Sequence, residues 1–192
     1  MNLTLAGYQD MANKGRVVHM VGPLDYDKLN GFHKSLREAS EKHREEPLAI
    51  LVTSGGGSLG IAIAMTNEIR ALATTGKVYM IGTAFVQSAA VSIMMAVPVE
   101  QRFSLGYTSY YCHRTSHNRK YEICGHLDQH DYHIKEYEAG VEDFSADTNW
   151  LFEQIVKGTT MTRKEFNDLI EHPKALNNKE AKRRGIIAGV LE

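Results

Sequence analysis

The run Leu48 to Val52 (LAILV) holds five apolar residues with no polar interruption. A strand with one face in water alternates apolar and polar residues. A strand without alternation is covered on both faces, which is the condition of a parallel sheet. Its surroundings repeat one order. Arg16 to Val21 (RVVHMV), closed by Gly22-Pro23, reads as a strand. Asp25 to His43 carries Leu29, Phe32, Leu36 and Ala39 at intervals of three and four, which is helical, and Glu45-Glu46-Pro47 stops it. After Leu48–Val52 a second helix uses Ile61, Ile63, Ala64, Ile69 and Leu72; Val78 to Ile81 is the next buried strand, Gly82 to Gln87 a connection, and Ser88 to Val97 an apolar helix of small residues. Strand and helix alternating at this spacing predict right-handed βαβ crossovers and an α/β fold with a mostly parallel sheet. Phe103-Ser104-Leu105 and Tyr110-Tyr111-Cys112 read as short strands, and Thr162 to Ile170 and Lys179 to Arg184 as helices. The 192 residues suit one domain, residues 16–192, behind a loose arm of residues 1–15.

The stretch from Leu127 to Val156 is helical in period, but its apolar positions are sparse and separated by charges. Such a helix buries itself poorly in a chain of this size and predicts an arm that packs against another copy. Twenty-two basic and 23 acidic residues give a formal charge of −1, without the cationic excess that phosphate binding uses, so no nucleic-acid partner is expected. The longest nearly apolar run, Ala89 to Val99, is eleven residues and contains Ser92 and Pro98. A bilayer span takes about 20, so no membrane segment is expected. The first residues, MNLTLAGYQD, lack the pattern of a signal peptide, and two cysteines, Cys112 and Cys124, are too few for a disulfide framework. A cytoplasmic location is the expectation.

Three features bear on chemistry. Ser54-Gly55-Gly56-Gly57 closes a buried strand, where ligands of open α/β sheets bind. Glycines there either make a tight turn or let backbone N–H groups approach an oxyanion; no Lys-Ser/Thr follows, so a nucleotide phosphate is not favoured. Ser88 opens an apolar helix, where a serine serves either as a cap or as a nucleophile beside free N–H groups. His113 ends the segment Tyr110-Tyr111-Cys112 and is either a boundary residue or the base that a serine nucleophile needs.

Taken in order, Ser54-Gly55-Gly56-Gly57, Ser88-Ala89, Arg102-Phe103-Ser104-Leu105, His113 and the closing Leu176, Glu180-Ala181 and Gly185-Ile186-Ile187 resemble the family of the Clp protease proteolytic subunit, from about Arg16 to Ile187. The resemblance implies a Clp-peptidase/crotonase-type fold of stacked βαβ units with a protruding helical handle, about residues 115–156. It implies a serine endopeptidase that hydrolyses peptides or unfolded polypeptides through an acyl-enzyme, without cofactor. Ser88 would be the nucleophile, His113 the general base, and the backbone N–H groups of Gly57 and Ala89 the oxyanion donors. Homo-oligomeric rings, heptameric and stacked through the handle, and an ATP-dependent unfoldase partner are implied too.

The chain departs from the family pattern. Gly55 replaces a proline, Phe85-Val86-Gln87 replaces a glycine-and-alanine lead, and the N-terminal arm is short. The slot of the third triad member, seven residues before Glu180, holds Pro173, which has no carboxylate. Glu171 is the expected substitute and Asp168 the next acid. Ser92 is a rival serine, expected to be buried. His126, His130 and His133 share a helical face, but no zinc signature accompanies them, so no metal is expected. The basic cluster Lys179, Lys182, Arg183 and Arg184 reads as a solvated helix end. Pro173 also motivates a second reading, a catalytically inactive Clp-like structural subunit, and the shared fold and oxyanion logic leave a third, a crotonase-type acyl-CoA enzyme that uses backbone donors without a needed Ser–His pair.

Overall fold

A computed structural model describes residues 3–43, 46–74, 78–115 and 130–192. Cys124 and His126 lie outside the described residues. Five strands form one parallel sheet in the order of the chain: β1 (Val17–Val21), β2 (Leu48–Ser54), β3 (Val78–Gln87), β4 (Arg102–Tyr111) and β5 (Gly189–Leu191). When successive parallel strands step in one direction, right-handed crossovers put every connecting helix on the same face. That face receives α2 (Tyr26–Lys42), α3 (Leu59–Ala73) and α4 (Ala89–Met94), and later α5 (His130–Gly158) and α6 (Arg163–Glu171). Ile50, Val52, Met80 and Val86 point into it, against Phe32, Met65, Ile69, Ile93, Leu151 and Phe166.

The alternate strand residues, Ala49, Leu51, Tyr79, Ile81 and Phe103, face the other way. Burial on both sides of β2 follows the expectation from its uninterrupted apolar run: Ala49, Ile50 and Val52 are all fully buried. The second face is covered by residues read from sequence as a loose arm. Leu5–Asn13 is a helix, α1, whose N-terminus is capped by Thr4 Oγ1 accepting from the Gly7 N–H at 3.1 Å; its Met11 is buried against the sheet. The need to cover Ala49, Leu51 and Tyr79 orders this segment, and its own sequence carries little sign of that need.

Two further expectations are corrected. Gly82 to Gln87 is not a connection: β3 runs to Gln87 through a shift of register. The two short strands expected after it are one ten-residue strand, β4, with Gly106 at φ +60° in its own bulge. The glycines and small residues that read as loop are the bulge positions. Beyond the bulge, Gln87 pairs with Tyr111, which carries both strands onward to the residues of interest.

α5 spans 29 residues, about 43 Å at 1.5 Å per residue. Its C-terminal part is anchored by Leu151 and Ile155 in the core, while Ile134, Tyr137 and Val141 are exposed apolar residues further out. This helix covers most of the stretch expected as a handle, about residues 115–156, of which residues 116–129 lie outside the described residues. The chain then turns through α6 and α7 (Asn178–Arg183), each opened by a reciprocal capping box, Thr162 with Glu165 and Asn177 with Glu180. Between them the buried Leu176 makes an antiparallel bridge to Tyr110 of β4, with N–H to carbonyl distances of 2.9 and 2.7 Å. No helix among the described residues is long and apolar enough to cross a membrane.

Candidate active site

Ser88 is the single residue between β3 and α4, and its backbone sits at φ +55°, ψ −132°. A non-glycine residue there is strained by about 1–3 kcal/mol, a cost the surrounding packing must offset. Its N–H donates to the Tyr111 carbonyl at 2.7 Å, which continues the β3–β4 pairing by one step. The side chain makes no capping hydrogen bond to α4. Thr4, Asp25, Ser58, Thr162 and Asn177 all cap their helices with side-chain oxygens. Ser88 stands in a cap position and does not cap, so its hydroxyl is left for other work.

The glycine run is pressed against this turn. Ser54 is fully buried, and its Oγ accepts from the Gly56 N–H at 3.1 Å. Gly56, at φ +89°, lies so close that a Cβ there would stand 2.6 Å from the Ser88 Cβ and 2.9 Å from the Gln87 carbonyl. Gly57 forms a parallel bridge with Leu24: the Leu24 N–H donates to the Gly56 carbonyl, and the Ser58 N–H to the Leu24 carbonyl, both at 2.9 Å. In such a bridge the central residue's own N–H points the opposite way. The Gly57 amide is therefore turned away from Leu24.

His113 lies two residues past the end of β4, half-buried, its ring 5.7 Å from that of Tyr111. Because Gln87 pairs with Tyr111, the chain leaving β3 at Ser88 and the chain leaving β4 toward His113 start side by side. Gly57, Ser88 and His113 line one open cavity of about 560 Å³. Ala89, the first residue of α4, lines a small apolar cavity next to it that Ser88 and His113 also border. The imidazole Nδ1 donates to the Arg114 carbonyl at 2.6 Å.

The acids expected from sequence lie elsewhere. The Glu171 carboxylate accepts from Arg114 Nη2 at 2.6 Å, in a separate cavity with Asn149 and Asn167. Asp168 faces a third cavity with His172, Lys174 and Arg183. Neither borders the cavity of Ser88 and His113. Ser92 is buried as expected, and its hydroxyl donates to the Ala89 carbonyl at 2.6 Å. Cys112, beside His113, is a free thiol that burial pushes up to about 12, which keeps it protonated and poorly nucleophilic at neutral pH.

Sequence reading missed one wall of the cavity. Gly140, Asp143, Phe144 and Asp147 of α5 line it together with Gly57 and Ser58, and the Thr115 and Thr148 hydroxyls, 3.1 Å apart, tie the chain after His113 to that helix. The spacing of Asp143 and Asp147, one helical turn, is the signal that could have placed them on one face. These two carboxylates are the acidic groups among the described lining residues.

Known proteins share this fold. Residues 4–192 match the family model described as Clp protease. Over 101 residues the chain is 29% identical to ATP-dependent Clp protease proteolytic subunit 2 of Borreliella burgdorferi, covering 53% of this chain and 50% of that protein, so the match spans about half the length of the relative. Among solved structures, a ClpP1 mutant from Listeria monocytogenes superposes with a TM-score of 0.77 at 20% identity, covering 96% of each chain. A Plasmodium falciparum peptidase does so with a TM-score of 0.75 at 15% identity, covering 96% of this chain and 99% of that one. Both share the fold of this chain. With the family model matched along almost its whole length, the chain belongs to the Clp protease family.

Proposed function

We propose that the protein is a serine-type endopeptidase that hydrolyses peptides or unfolded polypeptides, with Ser88 as nucleophile and His113 as general base. The observation that carries this reading is the Ser88 turn: a strained backbone, a hydroxyl that caps nothing, and a main-chain bond to the strand that leads to His113. The Nδ1–H bond to the Arg114 carbonyl leaves the lone pair on Nε2, the tautomer that a base needs. His113 takes the Ser88 proton as Oγ attacks the scissile carbonyl. The oxyanion that forms is received by the amides of Gly57 and Ala89. The leaving amine takes the proton from His113 as the C–N bond breaks, leaving an ester on Ser88. Water, deprotonated by His113, then releases the acid and restores the serine.

The assembly belongs to the same proposal. Ile134, Tyr137 and Val141 are spaced as one stripe of α5 and expose apolar surface, which suits packing against a second copy in a homo-oligomeric chamber. An ATP-dependent unfoldase as partner is proposed by analogy with the named Borreliella relative. A second reading, a catalytically inactive structural subunit, is favoured by one observation: the Nδ1 of His113 meets a main-chain carbonyl where a carboxylate is usual.

A serine-directed fluorophosphonate separates the two. The active reading predicts one covalent adduct, mapped by mass to the Ser88 peptide and lost in His113→Ala. An unmodified wild-type protein points to the structural subunit.

A further inference from the structure

We infer that His113 is oriented by the main-chain carbonyl of Arg114, and that Glu171 is a positioning residue which acts on that carbonyl through the Arg114 side chain. This rests on His113 being the base of the proposed reaction. A carbonyl oxygen has no proton to give, so the 2.6 Å contact requires Nδ1 to carry the hydrogen. The contact thus does one part of what an orienting carboxylate does: it selects the tautomer. Arg114 is then held from its other end, where Nη2 donates to Glu171 Oε1 at 2.6 Å. Glu171 closes α6, a helix fixed by its capping box and by the buried Phe166, Leu169 and Ile170. A chain of contacts therefore runs from a rigid helix, through one side chain, to the carbonyl that holds the imidazole.

The topology bears on why, among the described residues, no carboxylate takes the direct route. Tyr110 and Leu176 form a single antiparallel bridge, and its register, if continued for three residues, would set Pro173 across from His113. Proline offers no acceptor on its side chain. The other part of an orienting acid's work, stabilising the imidazolium by a negative charge in contact with it, is filled by none of the described residues.

The size of the effect is bounded. The side chains of Arg114 and Glu171 are 69% and 47% exposed, and pairs so exposed contribute little. Glu171→Ala and Arg114→Ala should each lower the fluorophosphonate labelling rate and kcat by roughly three- to fivefold, with KM and Tm unchanged. The double variant should lose no more than either single one, because both break the same link. Glu171→Gln should stay within about twofold of wild type, since its amide oxygen still accepts from Arg114. A loss of about 10⁴ in both Glu171 variants would make Glu171 a direct triad acid and overturn the relay. Equal losses in Ala and Gln, or no loss in any variant, would overturn it as well.

A readout independent of turnover keeps this apart from the parent reading. In protein labelled with ¹⁵N-histidine, the ring resonances that vanish in His113→Ala should report the Nδ1–H tautomer, shifting to a mixture in Glu171→Ala and Arg114→Ala. A mixture already present in the wild type defeats the relay whether or not Ser88 is reactive. The Nδ1–H tautomer with no labelling of Ser88 defeats only the proposed hydrolysis.

Discussion

The two halves of the site are built differently. Around Ser88 the main chain is over-determined: Ser54 beneath the glycine turn and Ala90 in α4 are fully buried, Ala89 nearly so, and Gly56 leaves no room for a single added carbon. Around His113 the support is a half-buried strand end, one carbonyl, and an exposed ion pair. Backbone strain persists only where packing enforces it, and the enforcement is on the side of Ser88, the proposed nucleophile. The base side can be adjusted by small changes. The first half should therefore break under substitution, and the second should tune.

The largest effect expected is that of Ser88→Ala, which should lower peptide turnover by about 10⁴ or more while leaving the melting temperature near that of wild type. A turnover assay with the variant in parallel checks it. Next come the glycines. Gly57→Ala sets a Cβ 2.6 Å from the Leu24 carbonyl oxygen and 2.8 Å from its nitrogen, at φ +148°, so the bridge must open and its amide must move. Loss of one oxyanion donor costs about 10²–10³ in kcat. Gly56→Ala should be as damaging by a different route, displacing Ser88 itself. A crystal structure of either variant would show whether the turn has shifted.

The base half should respond in the opposite sense. On the register continued from the Tyr110–Leu176 bridge, Pro173→Asp would set a carboxylate across from His113, and should raise kcat on the order of tenfold by stabilising the imidazolium. Unchanged or lower kcat in a folded Pro173→Asp protein would mean that the missing charge is not what limits the site. Removal of Glu171 follows, at a few-fold. The smallest effect concerns substrate choice. Asp143 and Asp147 line the same cavity as Ser88 and His113. Peptides with a lysine or arginine beside the scissile bond should be cleaved about twofold better than their neutral counterparts, an advantage lost in the Asp143→Asn/Asp147→Asn double variant and at high salt. Paired fluorogenic peptides at two ionic strengths would measure it.

How much of this could be read from the residues depends on the range of the interactions. The apolar run of β2, the glycine turn after it, and the intervals to Ser88 and His113 are local or evenly spaced signals, and the structure brings Gly57, Ser88 and His113 to one cavity. What was illegible is long-range. α1 is ordered by a sheet face assembled from four later strands. The last turns of β3 read as loop because bulge positions favour the same small residues as turns do. Asp143 and Asp147 reach the cavity only because α5 returns over it. Glu171 carries no mark, in sequence, of an arginine 57 positions away.

The meeting of Ser88 and His113 is tested most directly by a peptidyl chloromethyl ketone, which forms a hemiketal with a reactive serine and alkylates the Nε2 of a histidine beside it. The geometry predicts a single alkylated histidine, His113, in a peptide map of the treated protein, with the modification abolished in Ser88→Ala. Alkylation of His113 that proceeds equally well without the serine, or no alkylation of it in the wild type, would contradict the pairing.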